Sequence, residues 1–160
     1  MDAASRPTIA IGCDHAGPAL KRAVVDALRA AGHSVLDLGT DSDASVDYPD
    51  FAHAVCGAVE RGQAERGVLI CGTGVGMAIA ANRHAGIRCA VASEVTTAQM
   101  CRKHNDANVL SFGARLIDEA AALAILRVFL ATPYEGGRHA PRLVKLAPLE
   151  TRYTAPKEWA

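Results

Sequence analysis

The sequence has no excess charge of either sign. Seventeen Lys and Arg residues balance seventeen Asp and Glu residues in a chain of 160. Without a basic bias the chain lacks the electrostatic footprint of a nucleic-acid or anionic-membrane binder. Long apolar runs are missing too, so nothing reads as a membrane-spanning helix. The opening Met1-Asp2-Ala3-Ala4-Ser5-Arg6 has no apolar core of the kind an export signal needs, and a cytoplasmic location is the expectation. Neither Cys-x-x-Cys nor His-Glu-x-x-His occurs. The five cysteines are odd in number and irregularly spaced, as expected of reduced thiols. Cys13, His15, Cys71 and His104 are metal-capable and could converge in a fold, but their spacing does not support a metal, and none is expected.

What is present reads as an ordinary globular protein, with 50% hydrophobic and 21% charged residues. Strand and helix patterns alternate along its length. Continuous apolar runs at Thr8–Cys13, Ser34–Leu38, Val68–Cys71, Arg88–Ala92 and Asn108–Phe112 predict strands buried on both faces. Helical spacing predicts helices at Ala19–Ala31, Phe51–Arg61, Met77–Asn82, Glu94–Asp106 and Asp118–Ala131, with a last helix running to about Arg152. A polar loop is expected from Gly39 to Asp50. The pattern implies an α/β fold with a five-stranded parallel sheet and helices on both faces, in one domain over residues 1–152. Residues 153–160 read as a loose tail.

The most informative stretch is Cys71-Gly72-Thr73-Gly74-Val75-Gly76, directly after a buried strand and before a helix. Such a turn points backbone N–H groups outward, and the helix dipole adds partial positive charge. It therefore suits an anion or a developing oxyanion. Nucleotide binding is disfavoured, because Met77 sits where G-x-G-x-x-G needs its third glycine and no Gly-Lys-Ser/Thr follows. A thiol at a helix N-terminus ionises more readily than a free one. A base beside an oxyanion cradle suggests proton abstraction next to a carbonyl, through an enediolate.

Other polar groups are weaker signals. Asp14 and His15 follow the first strand, where they read equally as helix cap and loop residue or as site residues. In a parallel sheet, ligands sit beyond the carboxyl ends of the strands, which brings Asp14 and His15 to the same edge as Cys71-Gly72-Thr73. His104 and Asn105 close the fourth helix. An ordinary helix terminus explains them, yet a histidine is a natural acid/base near neutral pH and Asn105 offers a neutral donor. Arg138 and Arg142, four apart, share a face if the last helix starts near Gly137, and two guanidiniums suit a phosphate dianion. Surface charge is the plainer explanation. Cys13, Cys56, Cys89, Cys101, His33, His53, His84 and Trp159 are assigned no chemistry.

Taken together, Gly12-Cys13-Asp14-His15, Asp47-Tyr48-Pro49, the Cys71–Gly76 turn, Ala80-Ala81-Asn82, Gly86-Ile87-Arg88, His104-Asn105-Asp106, Phe112-Gly113-Ala114-Arg115 and Tyr134-Glu135-Gly136-Gly137-Arg138-His139 form an ordered set. In this the chain resembles the type B ribose-5-phosphate isomerases, in the family that includes the galactose-6-phosphate isomerase subunits. The resemblance runs from about Thr8 to Arg142. It implies a Rossmann-like three-layer sandwich and aldose–ketose isomerisation of a sugar phosphate without metal or organic cofactor. It also implies a homodimer, in some members paired into tetramers, with each active site completed by the partner.

Residue by residue, the resemblance implies that Cys71 is the base and that Thr73 handles the proton on the substrate oxygens. Backbone N–H groups of Gly72, Gly74, Val75 and Gly76, with Asn105, would stabilise the enediolate. His104, with Asp14 nearby, would open the sugar ring. His15, Arg115, Arg138 and Arg142 would contact phosphate and substrate, and Tyr48 would line the sugar site. Some members use a carboxylate farther along the loop instead of the thiol. Val75 and Met77 offer none, which indicates the thiol version. Other sugar phosphates with six or four carbons, and a non-catalytic sugar-phosphate binder, remain as alternatives.

Overall fold

A computed structural model describes residues 6–146 of the chain. The expected alternation is present. Strands β1 (Ile9–Cys13), β2 (Val35–Asp37), β3 (Arg66–Cys71), β4 (Cys89–Val91) and β5 (Val109–Gly113) are interleaved with α1 (Pro18–Ala30), α2 (Tyr48–Glu60), α3 (Val75–Ala81), α4 (Val95–Asn105) and α5 (Glu119–Ala131). A 3₁₀ turn at Gly137–His139 leads into the short α6 (Ala140–Val144). The last helix stops at Val144, with Lys145 and Leu146 in a turn, and does not continue unbroken toward the expected Arg152; residues 147–160, with the expected tail at 153–160, lie outside the described residues.

The sheet is five-stranded and parallel throughout, in the order β2-β1-β3-β5-β4. Side chains alternate along β3, and both faces are apolar because both are covered. Val68 and Ile70 face a core built with Val24 and Leu28 of α1 and Ile125 and Phe129 of α5. Leu69 and Cys71 face the other way, toward Val55 of α2 and Met77 of α3. The result is a Rossmann-like α/β/α sandwich. Gly12 and Gly67 let α2 lie close, since a Cβ at either position would come within 2.9 Å of Val55.

The main boundary shift is at α2. It starts at Tyr48, three residues before the expected Phe51, with Pro49 in its first turn. A proline there gives up only an N–H that has no helical partner and presets φ. The polar loop is therefore shorter than expected, and Tyr48 stands on a helix. Buried Lys21, 1% exposed, fastens this loop by holding Asp37 at 2.9 Å and Asp41 at 2.7 Å. His53 and His84, expected to be structural, form a chain in which His84 bonds Glu60 and His53, each at 2.8 Å. That chain ties α2 to the turn after α3.

Candidate active site

The chain leaves β1 toward β2 on one side and crosses to β3 on the other. The crevice beyond the carboxyl ends of β1 and β3 is thus a topological switch point, where such sheets bind ligands. Asp14 and His15 follow β1, and the glycine turn follows β3, so the structure brings these two groups to one edge as expected.

Cys71 ends β3 and is 5% exposed. Its Sγ accepts the Gly74 N–H at 3.1 Å, a bond that strengthens as the sulfur gains negative charge. The turn folds back on itself at Gly74, whose φ of +81° and whose distance of 2.9 Å from a would-be Cβ to the Phe112 carbonyl carbon both require glycine. Thr73 is exposed, with Oγ1 facing the Val75 N–H at 3.4 Å. The Arg115 guanidinium lies against Gly72, and the Tyr48 ring lies against Gly76, where a Cβ would come within 2.7 Å of it. The N–H groups of α3's first turn have no helical partner.

Asp14 is buried and its carboxylate accepts the Ala16 N–H at 2.9 Å. His15 Nδ1 accepts the Val46 N–H at 3.3 Å. A neutral His15 ring therefore carries its proton on Nε2, the nitrogen left free to donate.

The other thiols are held protonated. Burial pushes Cys13 and Cys56 up to about 12. It also raises Cys89 and Cys101. None of these four meets the glycine turn, which agrees with the expectation that they are packing residues.

Ser111 was not anticipated. It is fully buried in β5 and its hydroxyl donates to the Gly74 carbonyl at 2.7 Å. The peptide is trans, so a carbonyl pinned inward directs the Val75 N–H outward. The only signal in the sequence is a hydroxyl in an otherwise apolar strand.

The remaining expected residues gather elsewhere. His104 and Asn105 end α4, at the edge where β5 begins. They line a cavity of about 320 Å³ with Arg138, His139 and Arg142. The two arginines share this cavity as expected, although the 3₁₀ turn and α6 replace a single helix from Gly137. The rings of His104 and His139 stack with centroids 4.4 Å apart and planes at 19°. His139 is 4% exposed, and burial, reinforced by the nearby His104 and Arg138, lowers its pKa. Glu135 completes a two-histidine, one-carboxylate group with metal-binding geometry. Lys103 already pairs with that carboxylate at 3.3 Å, and two arginines face the cavity, so its charge favours an anion over a cation.

Within one chain the two groups do not meet. Cys71 pairs with Gly113 at the far end of β5, whereas His104 and Asn105 lie before Val109 at its start. The strand between them spans about 13 Å at the usual rise per residue. Asp14 sits with Cys71, so the expected pairing of Asp14 with His104 is not made inside one chain.

Comparisons with known proteins point to one family. The family model for Ribose/Galactose Isomerase matches residues 9–146. The chain is 48% identical over 144 residues to ribose-5-phosphate isomerase B of Escherichia coli, covering 90% of this chain and 97% of that protein. It is 40% identical over 140 residues to the D-erythrulose-4-phosphate isomerase of Pectobacterium atrosepticum, covering 87% and 92%. Ribose-5-phosphate isomerase B of Clostridium thermocellum superposes with a TM-score of 0.86 at 47% identity, over 87% of this chain and 94% of that one. The Mycoplasma genitalium enzyme, solved with bound ribulose-5-phosphate, superposes with a TM-score of 0.84 at 39% identity, over 87% and 93%. By sequence, fold and the glycine turn that carries its thiol, the chain belongs to the ribose/galactose isomerase family of sugar-phosphate isomerases.

Proposed function

We propose that the chain interconverts ribose 5-phosphate and ribulose 5-phosphate through a cis-enediolate, with the Cys71 thiolate as base. The observation that carries this reading is the Cys71 sulfur under the Gly74 N–H, at the glycine turn that opens α3. The thiolate takes the proton from C2 of the open-chain aldose. Charge develops on O1, where the N–H groups of Gly72 to Gly76 meet it. The proton returns to C1, and Thr73 passes the hydroxyl proton from O2 to O1. No cofactor is needed, because the backbone donors supply the stabilisation a metal would give.

Each active site is completed by a second copy. Asn105 of the partner subunit adds a neutral donor to the enediolate. His104 of the partner subunit opens the furanose, and the partner's Arg138 and Arg142 hold the phosphate with His15 and Arg115. Tyr48 lines the sugar. Two observations support the pairing. Each half-site is incomplete in one chain, one holding the thiol and the other the paired arginines. In addition, Val75, Ile79, Val91 and Val95 leave an apolar surface 39–57% exposed around α3 and the edge strand β4. A surface of that kind beside the crevice suits a second copy.

The same chemistry on another sugar phosphate is the second reading, favoured by the similarity to the erythrulose-4-phosphate enzyme. A non-catalytic binder would need the arginines but not the thiol. Assays of ribose, allose, galactose and erythrose phosphates in parallel decide among these. The ribose reading requires the highest kcat/KM on ribose 5-phosphate. A higher value on another sugar transfers the assignment, and no turnover of any sugar leaves a binder.

A further inference from the structure

Two parts of the sequence, Gly86-Ile87-Arg88 and the aspartate of His104-Asn105-Asp106, take no part in the reaction as proposed. Their geometry gives them a task. Helix α4 stops directly after Asn105 because Asp106 turns left-handed, with φ 45° and ψ 44°. It is the only non-glycine residue with positive φ among the described residues. Glycine is the default at such a helix end, and a residue with a Cβ sits there under strain.

The carboxylate explains why aspartate is there. One oxygen accepts from the Arg102 guanidinium at 2.8 Å and the other from Arg88 at 3.1 Å. Arg88 Nε also donates to the Asn105 carbonyl at 3.1 Å and to the Asp106 carbonyl at 2.9 Å. One guanidinium therefore grips the carboxylate and both carbonyls of the turn. Arg102 is 3% exposed and is itself fixed by the carbonyls of Ala107 and Thr132. The orientation of the Asn105 peptide is thus set by charge-assisted bonds at its own oxygen. Those carbonyls anchor the C-terminal turn of α4, the turn that carries His104 and Asn105. Strain held in place by surrounding groups, next to residues with chemistry to do, is the usual sign of a preorganised segment.

We propose that Arg88 and Asp106 are positioning residues that hold the His104–Asn105 pair in its working orientation. This rests on the reading of that pair given above, and it adds residues that touch neither sugar nor phosphate.

Three variants test it. Arg88→Met removes the grip and keeps the length of the side chain. Asp106→Gly relieves the strain and removes the carboxylate. Asp106→Asn tolerates the left-handed turn and keeps one accepting oxygen. Two rates are measured, with His104→Ala as the reference. One is isomerisation of ribose 5-phosphate, which is mostly closed as a furanose. The other is deuterium exchange at C1 of ribulose 5-phosphate, which cannot form a furanose because its O5 carries the phosphate. Binding of inorganic phosphate and melting temperature are followed alongside.

For Arg88→Met and Asp106→Gly, isomerisation should fall by roughly tenfold or more, as for a misplaced catalytic group. Exchange should fall less, since it needs Asn105 but not His104. Phosphate affinity should stay within about threefold of wild type, and Asp106→Asn should recover most of both rates. Turnover of ribose 5-phosphate within about threefold of wild type in Arg88→Met and Asp106→Gly, with His104→Ala impaired, overturns the inference and leaves the role of His104 intact. A joint fall of both rates, phosphate affinity and melting temperature, without recovery in Asp106→Asn, overturns it in favour of a purely structural turn. Wild-type turnover by His104→Ala removes the role of His104, and the positioning role with it.

Discussion

Ser111 Oγ donates to the Gly74 carbonyl at 2.7 Å from inside β5, so a core strand sets the orientation of the catalytic turn. The carbonyl also receives the Ala78 N–H at 3.2 Å, so removing the hydroxyl leaves it partnered. Ser111→Ala should therefore cost only about 0.5–1.5 kcal/mol of stability, the net value of one hydrogen bond. The Val75 N–H loses its fixed direction, and kcat should fall about tenfold with KM little changed. Steady-state kinetics and a denaturant titration check both. A proportional rise in KM would place Ser111 in binding instead.

Cys71 is the thiol at the turn, while Cys13 and Cys56 are held protonated with pKa values of about 12. Iodoacetamide should therefore modify Cys71 first, with loss of activity, and substrate should protect. Cys71→Ala should lose about two to four orders of magnitude in kcat, the usual cost of a positioned base. Its KM should change little, because the thiolate acts on a proton and does not hold the ligand. Peptide mapping of the alkylated protein identifies the site. Chelators should leave activity unchanged, and restoration of a chelated enzyme by zinc or manganese would contradict the backbone-cradle account.

The fold was legible because each strand is a short apolar run closed by a glycine or a polar residue. Thr8–Cys13 differs from the observed strand by one residue at its start, and Asn108–Phe112 by one residue at each end. The start of α2 was not legible, since Asp47 and Asp50 around Pro49 read equally as loop. The site was legible in parts. Cys71 and Gly74 announce themselves by pattern, and strand polarity brings Asp14 and His15 to them. What the sequence pattern alone does not convey is distance: the nearness of Asp14 and His104 came from the resemblance, with a second subunit supplying His104, and within one chain the two lie at opposite ends of the sheet. Ser111 and Lys21 stayed hidden because their partners are distant in sequence or are backbone atoms, which leave no pattern of side-chain types.

Burial lowers the pKa of His139 in the fold, with His104, Arg138 and Arg142 adding repulsion and Glu135 opposing it. In the unfolded chain it takes up a proton near its ordinary value of 6.5. The unfolded state then binds more protons than the native state, so stability should fall as pH drops through 6.5 and below. Melting temperatures recorded between about pH 7.5 and 5.5 should decline, and His139→Gln should reduce the slope. An unchanged slope would assign the loss to other groups.

Arg138→Ala and Arg142→Ala should raise KM, since each charge-assisted bond to a phosphate contributes on the order of 1.5–3 kcal/mol. Losses of uniform binding leave kcat less affected than KM. Equal losses in kcat and KM would contradict a simple phosphate cradle.

The account stands or falls on a site shared between two chains, because Cys71 and His104 cannot meet within one. Cys71→Ala and His104→Ala proteins, each inactive alone, are mixed under conditions where subunit exchange is verified. In a mixed dimer one site inherits both defects and the other inherits neither. Activity should return toward roughly a quarter of the wild-type value, the share of intact sites after random exchange between equal amounts. If the subunits exchange and no activity returns, the shared site is wrong.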